Sequence, residues 1–235
     1  AGASLHLKAG AKKVVISAPA KGGDVPTYVR AVNCAKCNKE TSPVINSASC
    51  TTNNIGPVMA VLNEEFGIEK AMMSTIHAYT AEQNIHDAPP PGLKSGDLRR
   101  ARAAAANIVP TTTGAAIAVT EVIPGLVNVF DGLALRIPVI TVSLSDMTVL
   151  LKKNVTKEEI NKAMVEASRT ERFAGVLDTT SEPLVSSDFI GNTHSAIVDL
   201  SLTNVVGGNL VKVVAWYDNE VGYANRLIEI AELYV

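Results

Sequence analysis

A cysteine at the predicted start of a helix is the residue of this sequence best suited to covalent chemistry. Cys50 lies within the run SASCTTNN at 47–54, and an apolar stretch follows it. Serine and threonine are good N-cap residues, so we predict that a helix begins near Cys50. Unpaired backbone N–H groups and the helix dipole favour the thiolate there and could also hold an oxyanion or a phosphate. The alternative for a lone cysteine is an inert, buried residue.

His77 is the candidate general base for this thiol. It follows Cys50 by 27 positions, at the carboxyl end of a predicted strand over 70–79. If the sheet brings the two side chains together, the imidazole can take the thiol proton and later act as acid and base on a carbonyl oxygen. Taken alone, a histidine at a strand end is more often structural. We expect the other histidines, His6, His86 and His194, at the surface.

Arginines and hydroxyl-rich turns indicate a site for phosphate. Arg136 interrupts an otherwise apolar strand, LALRIPV, which is costly unless the guanidinium meets an anion. Arg100 lies in a short basic helical turn predicted over 97–107. Guanidinium groups, hydroxyl groups and free backbone N–H groups are how proteins hold phosphate dianions, and hydroxyls recur at 49–52, at Thr80 and at 111–114. Surface ion pairs are the alternative for each arginine. With a cysteine nucleophile, the set indicates a phosphorylated carbonyl substrate.

Composition narrows the class of protein further. The chain has 235 residues and a net charge of −2, from 21 Lys and Arg against 23 Asp and Glu. This balance argues against a general affinity for nucleic acid or membranes, and no apolar run reaches membrane-spanning length. Three cysteines cannot all pair, and a reactive thiol suits a reducing compartment, so we expect a cytoplasmic protein. Cys34 and Cys37 form a CxxC that no second pair completes; a solvated loop is favoured over a redox or zinc site, and we expect no metal.

The elements that must position these residues alternate between strands and helices. Predicted strands lie at 13–17, 27–33, 70–79, twice within 130–151, and at 175–178, 195–204 and 210–217. Predicted helices lie at 3–9, from Cys50 onward, at 156–169 behind the capping box Thr156-x-x-Glu159, and at 219–233. A long polar loop covers 80–96. This pattern is typical of an α/β protein.

The motifs together resemble phosphorylating glyceraldehyde-3-phosphate dehydrogenases, with erythrose-4-phosphate dehydrogenases as the nearest relatives. The matching segments occur in order along nearly the whole chain: SASCTTN, HAYT, DLRRARAAAANIVPTTTGAA, LRIP, EPLVSSDFIG and VKVVAWYDNEVGYANR. The resemblance implies the end of a Rossmann NAD-binding domain at 1–49. It also implies an α+β catalytic domain with a mixed sheet at 50–218 and a C-terminal helix at 219–235 that returns to the first domain.

The resemblance also implies a glycolytic reaction, the oxidation of glyceraldehyde 3-phosphate to 1,3-bisphosphoglycerate. Cys50 would form a hemithioacetal, His77 would remove its proton as hydride passes to NAD, and inorganic phosphate would split the thioester. NADP is not excluded. The implied roles are Thr80 and Arg136 for the substrate phosphate, Ser49, Thr51, Thr113 and Gly114 for the attacking phosphate, Arg100 for both sites, and Asn219 with Tyr223 for the nicotinamide. A homotetramer is implied, with the loop at 80–110 near a neighbour's cofactor.

Some features depart from the family pattern. Asn54, Ile117 and Val221 stand where a cysteine, a lysine and a tryptophan are usual, and the proline-rich stretch near 91 is longer. The chain begins in a predicted helix without methionine and without the glycine-rich phosphate loop, so we expect a fragment or processed product that holds NAD weakly. The alternatives are an erythrose-4-phosphate enzyme that hydrolyses its thioester and a catalytically silent binding or assembly module. A Cys–His hydrolase of another fold is less favoured, because no third orienting residue is evident.

Overall fold

A computed structural model describes residues 2–22, 24–34, 42–89 and 97–234. The strands are β1 Val14–Ile16, β2 Val44–Asn46, β3 Ile68–Ala78, β4 Val109–Thr112, β5 Phe130–Ile137, β6 Ser143–Leu151, β7 Leu177–Thr180, β8 Ala196–Asp199, β9 Asn204–Val206 and β10 Leu210–Tyr217. The helices are α1 Gly2–Lys8, α2 Cys50–Glu65, α3 Ala115–Val122, α4 Lys157–Ser168 and α5 Val221–Tyr234. The predicted α/β class is confirmed, because a mixed sheet and helices make up the described residues.

An eight-stranded sheet is the largest element of the described residues. Its order is β4-β5-β3-β6-β10-β8-β7, and β9 pairs with β10. Strands β3 and β5 run parallel, whereas β6 is antiparallel to both β3 and β10. Strands β1 and β2 form a separate parallel pair.

Helices α2, α3 and α4 cover one face of this sheet. Buried side chains of α2, among them Ile55, Met59 and Leu62, join Met147 and Val149 of β6 in one apolar core. Residues 51–62 of α2 are all buried, so this helix is a central element and not a surface one. Because α2 is closely packed in the core, the position of its first residue, Cys50, is fixed relative to the sheet.

The opposite face of the sheet carries no α-helix among the described residues. Alternate positions of β3, β5 and β10 point away from the core there, and three of their apolar side chains remain exposed. Met72 is 64% exposed, Leu133 43% and Leu210 39%. Exposed apolar side chains on an uncovered sheet face suit packing against another chain.

Several predicted elements are confirmed. Helix α2 begins at Cys50, β3 matches the strand predicted at 70–79 except at Tyr79, and β5 and β6 lie within the predicted 130–151. The capping box is formed in both directions, since Thr156 Oγ1 accepts from the Glu159 N–H and the Glu159 carboxylate accepts from the Thr156 N–H. The short basic segment at 97–107 forms turns and a 3₁₀ helix at Ala104–Ala106.

Two strand predictions are wrong. The segment at 27–33 makes only an isolated bridge, Thr27 to Asn46, and then turns. Asn33 holds that turn, because its side chain accepts from the Val29 N–H and donates to the Thr27 carbonyl. The segment at 195–204 is divided between β8 and β9, since Asp199 accepts from the backbone and hydroxyl of Ser201 and turns the chain.

Among the described residues, no helix has both the length and the apolar character needed to cross a membrane.

Candidate functional site

The loop before α2 fixes the orientation of Cys50. Ser49 is the N-cap, and its Oγ accepts from the Thr52 N–H at 3.1 Å. Ala48 adopts a positive φ of 53°, a conformation that a non-glycine residue rarely takes. The Asn46 side chain accepts from the Ala48 N–H at 3.0 Å and holds this backbone in place. Such strain is typical of a segment that must present a side chain in one direction.

The structure brings the candidate nucleophile and base together. Cys50 Sγ lies 3.5 Å from His77 Nε2. The thiol comes from the start of α2 and the imidazole from the carboxyl end of β3, so the pair forms only when α2 packs on the sheet. A thiol and an imidazole at this distance can exchange a proton.

The partners of His77 determine which ring nitrogen faces the thiol. Its Nδ1 lies 2.6 Å from the Ala78 carbonyl oxygen, which can only accept a hydrogen bond. Arg136 Nη1, which can only donate, lies 3.1 Å from the same Nδ1, but the carbonyl contact is shorter and Nη1 already donates to that carbonyl. We therefore assign the proton to Nδ1, so that the lone pair on Nε2 faces Cys50. Burial and the nearby Arg136 charge lower the pKa of His77 to about 4. The imidazole is consequently neutral at pH 7 and able to accept a proton.

The pKa of Cys50 is governed by burial more than by the helix. Burial raises the pKa of the Cys50 thiol, while hydrogen bonds involving Thr51 and the charge of Arg136 lower it. The sequence predicts the opposite, a lowered pKa of Cys50, because this residue lies at the start of a helix. In the folded molecule Cys50 is half-buried, and the loss of hydration exceeds the stabilisation by hydrogen bonds and by the Arg136 charge. A base at His77 therefore matters for forming the thiolate.

Two arginines reach the same cavity from different elements. Arg136 stands opposite His77 in the β3–β5 register, and its Nη1 donates to the Ala78 carbonyl at 3.0 Å and to Thr80 Oγ1 at 3.3 Å. Arg100 is held by Thr111, whose Oγ1 accepts from Nε at 2.6 Å, and by the Thr112 carbonyl at 3.1 Å. These hydrogen bonds hold both guanidinium groups in place before a ligand binds, which suits recognition of an anion.

A cavity of about 180 Å³ lies between these side chains. The predicted site residues that line it are Ser49, Cys50, Thr51, His77, Arg100, Thr113, Gly114 and Arg136. Thr80 touches this group through Arg136. A space of this size, with two cations beside a thiol, fits a small phosphorylated molecule better than a polymer.

The two residues predicted to face a nicotinamide lie at the start of α5. Asn219 is 7% exposed, and its Oδ1 accepts from the Ser143 hydroxyl at 2.9 Å. Its amide nitrogen has no hydrogen-bond partner among the described residues, so it can donate to a carboxamide oxygen. Tyr223 donates to the Ala48 carbonyl at 3.1 Å, beside the loop that carries Cys50. Of the two residues, Asn219 therefore offers the donor that remains for a nicotinamide group.

Three polar residues of the site escaped sequence reasoning. The Tyr217 hydroxyl lies 3.0 Å from Thr51 Oγ1 and 2.9 Å from Thr75 Oγ1, and burial raises its pKa. Ser143 supports Asn219, and Glu82 contacts both arginines. Tyr217 lies in the WYDNE motif and could have been found there, whereas nothing local distinguishes Ser143 or Glu82.

The residues that depart from the family pattern have separate places. Asn54 is buried in α2, and its amide donates to the carbonyls of Ser195 and Trp216, so it links the helix to β8 and β10. Ile117 is exposed on α3, and Val221 begins α5. The proline-rich stretch at 90–96 lies outside the described residues.

The remaining sequence candidates lie apart from the site. His6 and His86 are exposed as predicted, whereas His194 is half-buried against Asn192. Cys34 is half-buried, and Cys37 lies outside the described residues. Within 2–22, 24–34, 42–89 and 97–234, no three His, Cys, Asp or Glu side chains are grouped as metal ligands would be.

Comparisons with known proteins agree with these motifs. Residues 49–219 match the family model described as glyceraldehyde 3-phosphate dehydrogenase, C-terminal domain. Glyceraldehyde-3-phosphate dehydrogenase 2 of Synechocystis sp. is 51% identical over 99% of this chain and 67% of its own length. The enzyme of Geobacillus stearothermophilus is 49% identical over 97% of this chain and 66% of its own length, and chloroplastic dehydrogenase B of Pisum sativum is 50% identical over 99% and 50%. The chain thus spans between half and about two thirds of the length of these relatives.

Proposed function

The chain belongs to the glyceraldehyde-3-phosphate dehydrogenase family, and from this membership we propose that it carries the catalytic residues of a phosphorylating, nicotinamide-dependent aldehyde dehydrogenase of glycolysis. The substrates are glyceraldehyde 3-phosphate and inorganic phosphate, and the product is 1,3-bisphosphoglycerate. The observation that carries the proposal is the 3.5 Å approach of Cys50 Sγ to His77 Nε2 beside two arginines. A phosphorylated aldehyde matches both the nucleophile and the two guanidinium groups of the cavity.

Cys50 and His77 divide the covalent chemistry. His77 Nε2 takes the thiol proton, and the thiolate attacks the aldehyde carbon to form a C–S bond and a hemithioacetal. His77 returns this proton to the carbonyl oxygen as the hemithioacetal forms, and takes it back from the hydroxyl group as the carbon is oxidised to a thioester. A nicotinamide group held by Asn219 and Tyr223 would accept the hydride. An oxygen of inorganic phosphate attacks the thioester, the C–S bond breaks, and the thiolate is regenerated with an acyl phosphate as product. Backbone N–H groups at the start of α2 can stabilise the oxyanion.

The anion-binding residues position the two phosphates. We assign the substrate phosphate to Thr80 and Arg136, which lie 3.3 Å apart through Nη1 and Oγ1. The attacking phosphate is assigned to Ser49, Thr51, Thr113 and Gly114, and Arg100 serves both sites. The support is that all of these except Thr80 line one cavity with Cys50. Charge-assisted hydrogen bonds of this kind fix an anion in one orientation.

The cofactor proposed is NAD, held in part by Asn219 and Tyr223. The support is the Asn219 amide, whose oxygen is occupied by Ser143 and whose nitrogen can donate to the carboxamide. The names of several relatives include the word chloroplastic, so NADP is the second candidate.

We also propose the organisation and location of the protein. The domain boundaries are 1–49, 50–218 and 219–235, the assembly is a homotetramer, and the location is the cytoplasm. The reducing environment that Cys50 requires supports a cytoplasmic location.

The test is NADH formation from glyceraldehyde 3-phosphate with and without inorganic phosphate. An intact mass of the purified protein comes first, because it gives the length of the polypeptide that is assayed. We expect phosphate-dependent NADH formation and its complete loss in Cys50→Ser, which retains the shape of the side chain and removes the thiolate. Glu69→Gln, on the exposed start of β3, is the control that should retain activity. Turnover in Cys50→Ser would exclude the thioester route, and turnover independent of phosphate would favour hydrolysis.

A further inference from the structure

Glu82 places a carboxylate between the two guanidinium groups of the anion pocket. Its Oε1 accepts from Arg100 Nη1 at 3.1 Å and lies 3.7 Å from Arg136 Nη2. A carboxylate oxygen and a phosphate oxygen use the same guanidinium donors.

The loop that carries Glu82 is anchored at this position. A turn joins the Gln83 N–H to the Thr80 carbonyl at 2.9 Å, and the Gln83 side chain accepts from the Thr80 N–H at 3.3 Å. The Asn84 carbonyl accepts from the Ala104 N–H at 2.9 Å. The backbone on both sides of Glu82 is therefore fixed, while its side chain is 39% exposed and free to leave the arginines.

The charges around the pocket are nearly balanced before any ligand binds. Arg100 has a second carboxylate partner, Asp97, at 3.4 Å, and Thr111 bridges the two, with its hydroxyl donating to Asp97 at 2.8 Å. Glu82 is the only carboxylate among the described residues that forms an ion pair with Arg136. Arg136 Nη2 forms no hydrogen bond within the described residues and meets Glu82 only at 3.7 Å, so this guanidinium has donor capacity left for an anion.

We propose that Glu82 is an internal counter-ion that competes with phosphate for Arg100 and Arg136. On this view the pocket exchanges a carboxylate for a phosphate, and the return of Glu82 to the arginines assists release of the phosphorylated product. Glu82 acts through the arginines and is a positioning residue. The inference rests on the proposed function, since it takes the arginine pair to be the phosphate site.

Binding of inorganic phosphate to the 235-residue chain, measured by calorimetry, tests the proposal. Glu82→Gln removes the charge, keeps the shape and should tighten phosphate binding about three- to tenfold, the range expected for a close but partly solvated charge. Glu82→Asp retains the charge and should bind nearly as the parent does. Glu69→Gln makes the same charge change far from the pocket and should leave the affinity unchanged. Thermal unfolding confirms that each variant is folded.

The direction in which Glu82→Gln changes the phosphate affinity distinguishes a competing counter-ion from a purely structural residue. If Glu82 only holds the arginines in place, Glu82→Gln will weaken phosphate binding or leave it unaltered, and either result overturns the proposal. Protection of Cys50 from iodoacetamide by phosphate gives a second readout, with half-protection expected at a lower concentration in Glu82→Gln. Absence of phosphate binding in every variant also overturns it. The dehydrogenase assay decides separately whether the proposed function stands.

Discussion

At the scale of single residues, the backbone of Ala78 connects the parts of the site. Its carbonyl accepts from His77 Nδ1 and Arg136 Nη1, and its N–H donates to Ser143 Oγ at 3.1 Å. Ser143 in turn donates to Asn219. The proposed base, the substrate-phosphate arginine and the nicotinamide-orienting amide are therefore all positioned through one residue. A small displacement of the Ala78 backbone would move all three side chains together. Catalysis tolerates little error in the positions of such groups.

The buried, neutral His77 predicts how stability depends on pH. Its pKa is lowered to about 4, so between that value and the ordinary 6.5 the unfolded chain binds a proton that the folded chain does not. Stability should therefore fall as pH falls through this window. We expect His77 to account for a loss of about 2 kcal/mol in the free energy of unfolding between pH 7 and pH 5. Urea unfolding at both pH values measures it.

The variant His77→Asn serves as the control for this measurement. It lacks the titrating group, so its stability should change less over the same interval, and the difference between the two proteins isolates the histidine. Equal slopes for the parent and His77→Asn would mean that His77 titrates normally in the folded chain.

At the scale of elements, the pairing of β3 with β5 aligns His77 with Arg136. Four positions before this pair, in the same parallel register, Gly132 stands opposite Met73. A Cβ added at Gly132 would lie 2.6 Å from the Met73 carbonyl oxygen. Only glycine allows the two strands to approach at this point, so the register that aligns the site depends on it.

Gly132→Ala should therefore destabilise the protein. We expect a loss of about 1–3 kcal/mol, as is common when extra atoms are forced into a packed region. Gly125→Ala is the matched control, because its added Cβ meets only the Asn63 amide at an ordinary 3.7 Å. Urea denaturation compares the two variants with the parent, and a Gly132→Ala protein as stable as the Gly125→Ala protein would contradict the close approach.

At the scale of the whole molecule, the sheet has two unlike faces. The helix-covered face holds the main core, whereas the other exposes Met72, Leu133 and Leu210 beside the ion pair of Lys212 with Asp146. Exposed apolar side chains bordered by charge occur at subunit interfaces. This face is where we place a contact of the proposed homotetramer.

Met72→Asp should weaken that assembly. A charge buried without a partner in an apolar interface is strongly unfavourable, so the mass measured by light scattering should fall from a multiple of the 24.7 kDa chain toward that value. Ile117→Asp is the control, since Ile117 is 67% exposed on the helix side, close to the 64% of Met72. An unchanged mass for Met72→Asp would place the contact elsewhere.

The sequence alone determined the features whose causes are local. The N-cap serine before Cys50, the capping box at Thr156 and the β-rich segments of β3, β5, β6 and β10 follow from side-chain preferences over a few residues. The family could be recognised for the same reason, since its motifs are short and continuous. The wrong strand at 27–33 shows the limit, because a single side chain, Asn33, turned a β-rich segment.

The tertiary structure decided what depends on contacts between distant segments. It placed His77 Nε2 against Cys50, set the tautomer through Ala78, and enclosed the thiol enough to raise its pKa where the helix start alone predicts the opposite. It also brought Glu82 to both arginines. Burial and charge act through space, and the distance between two groups along a chain does not fix the distance between them once α2 has packed on the sheet.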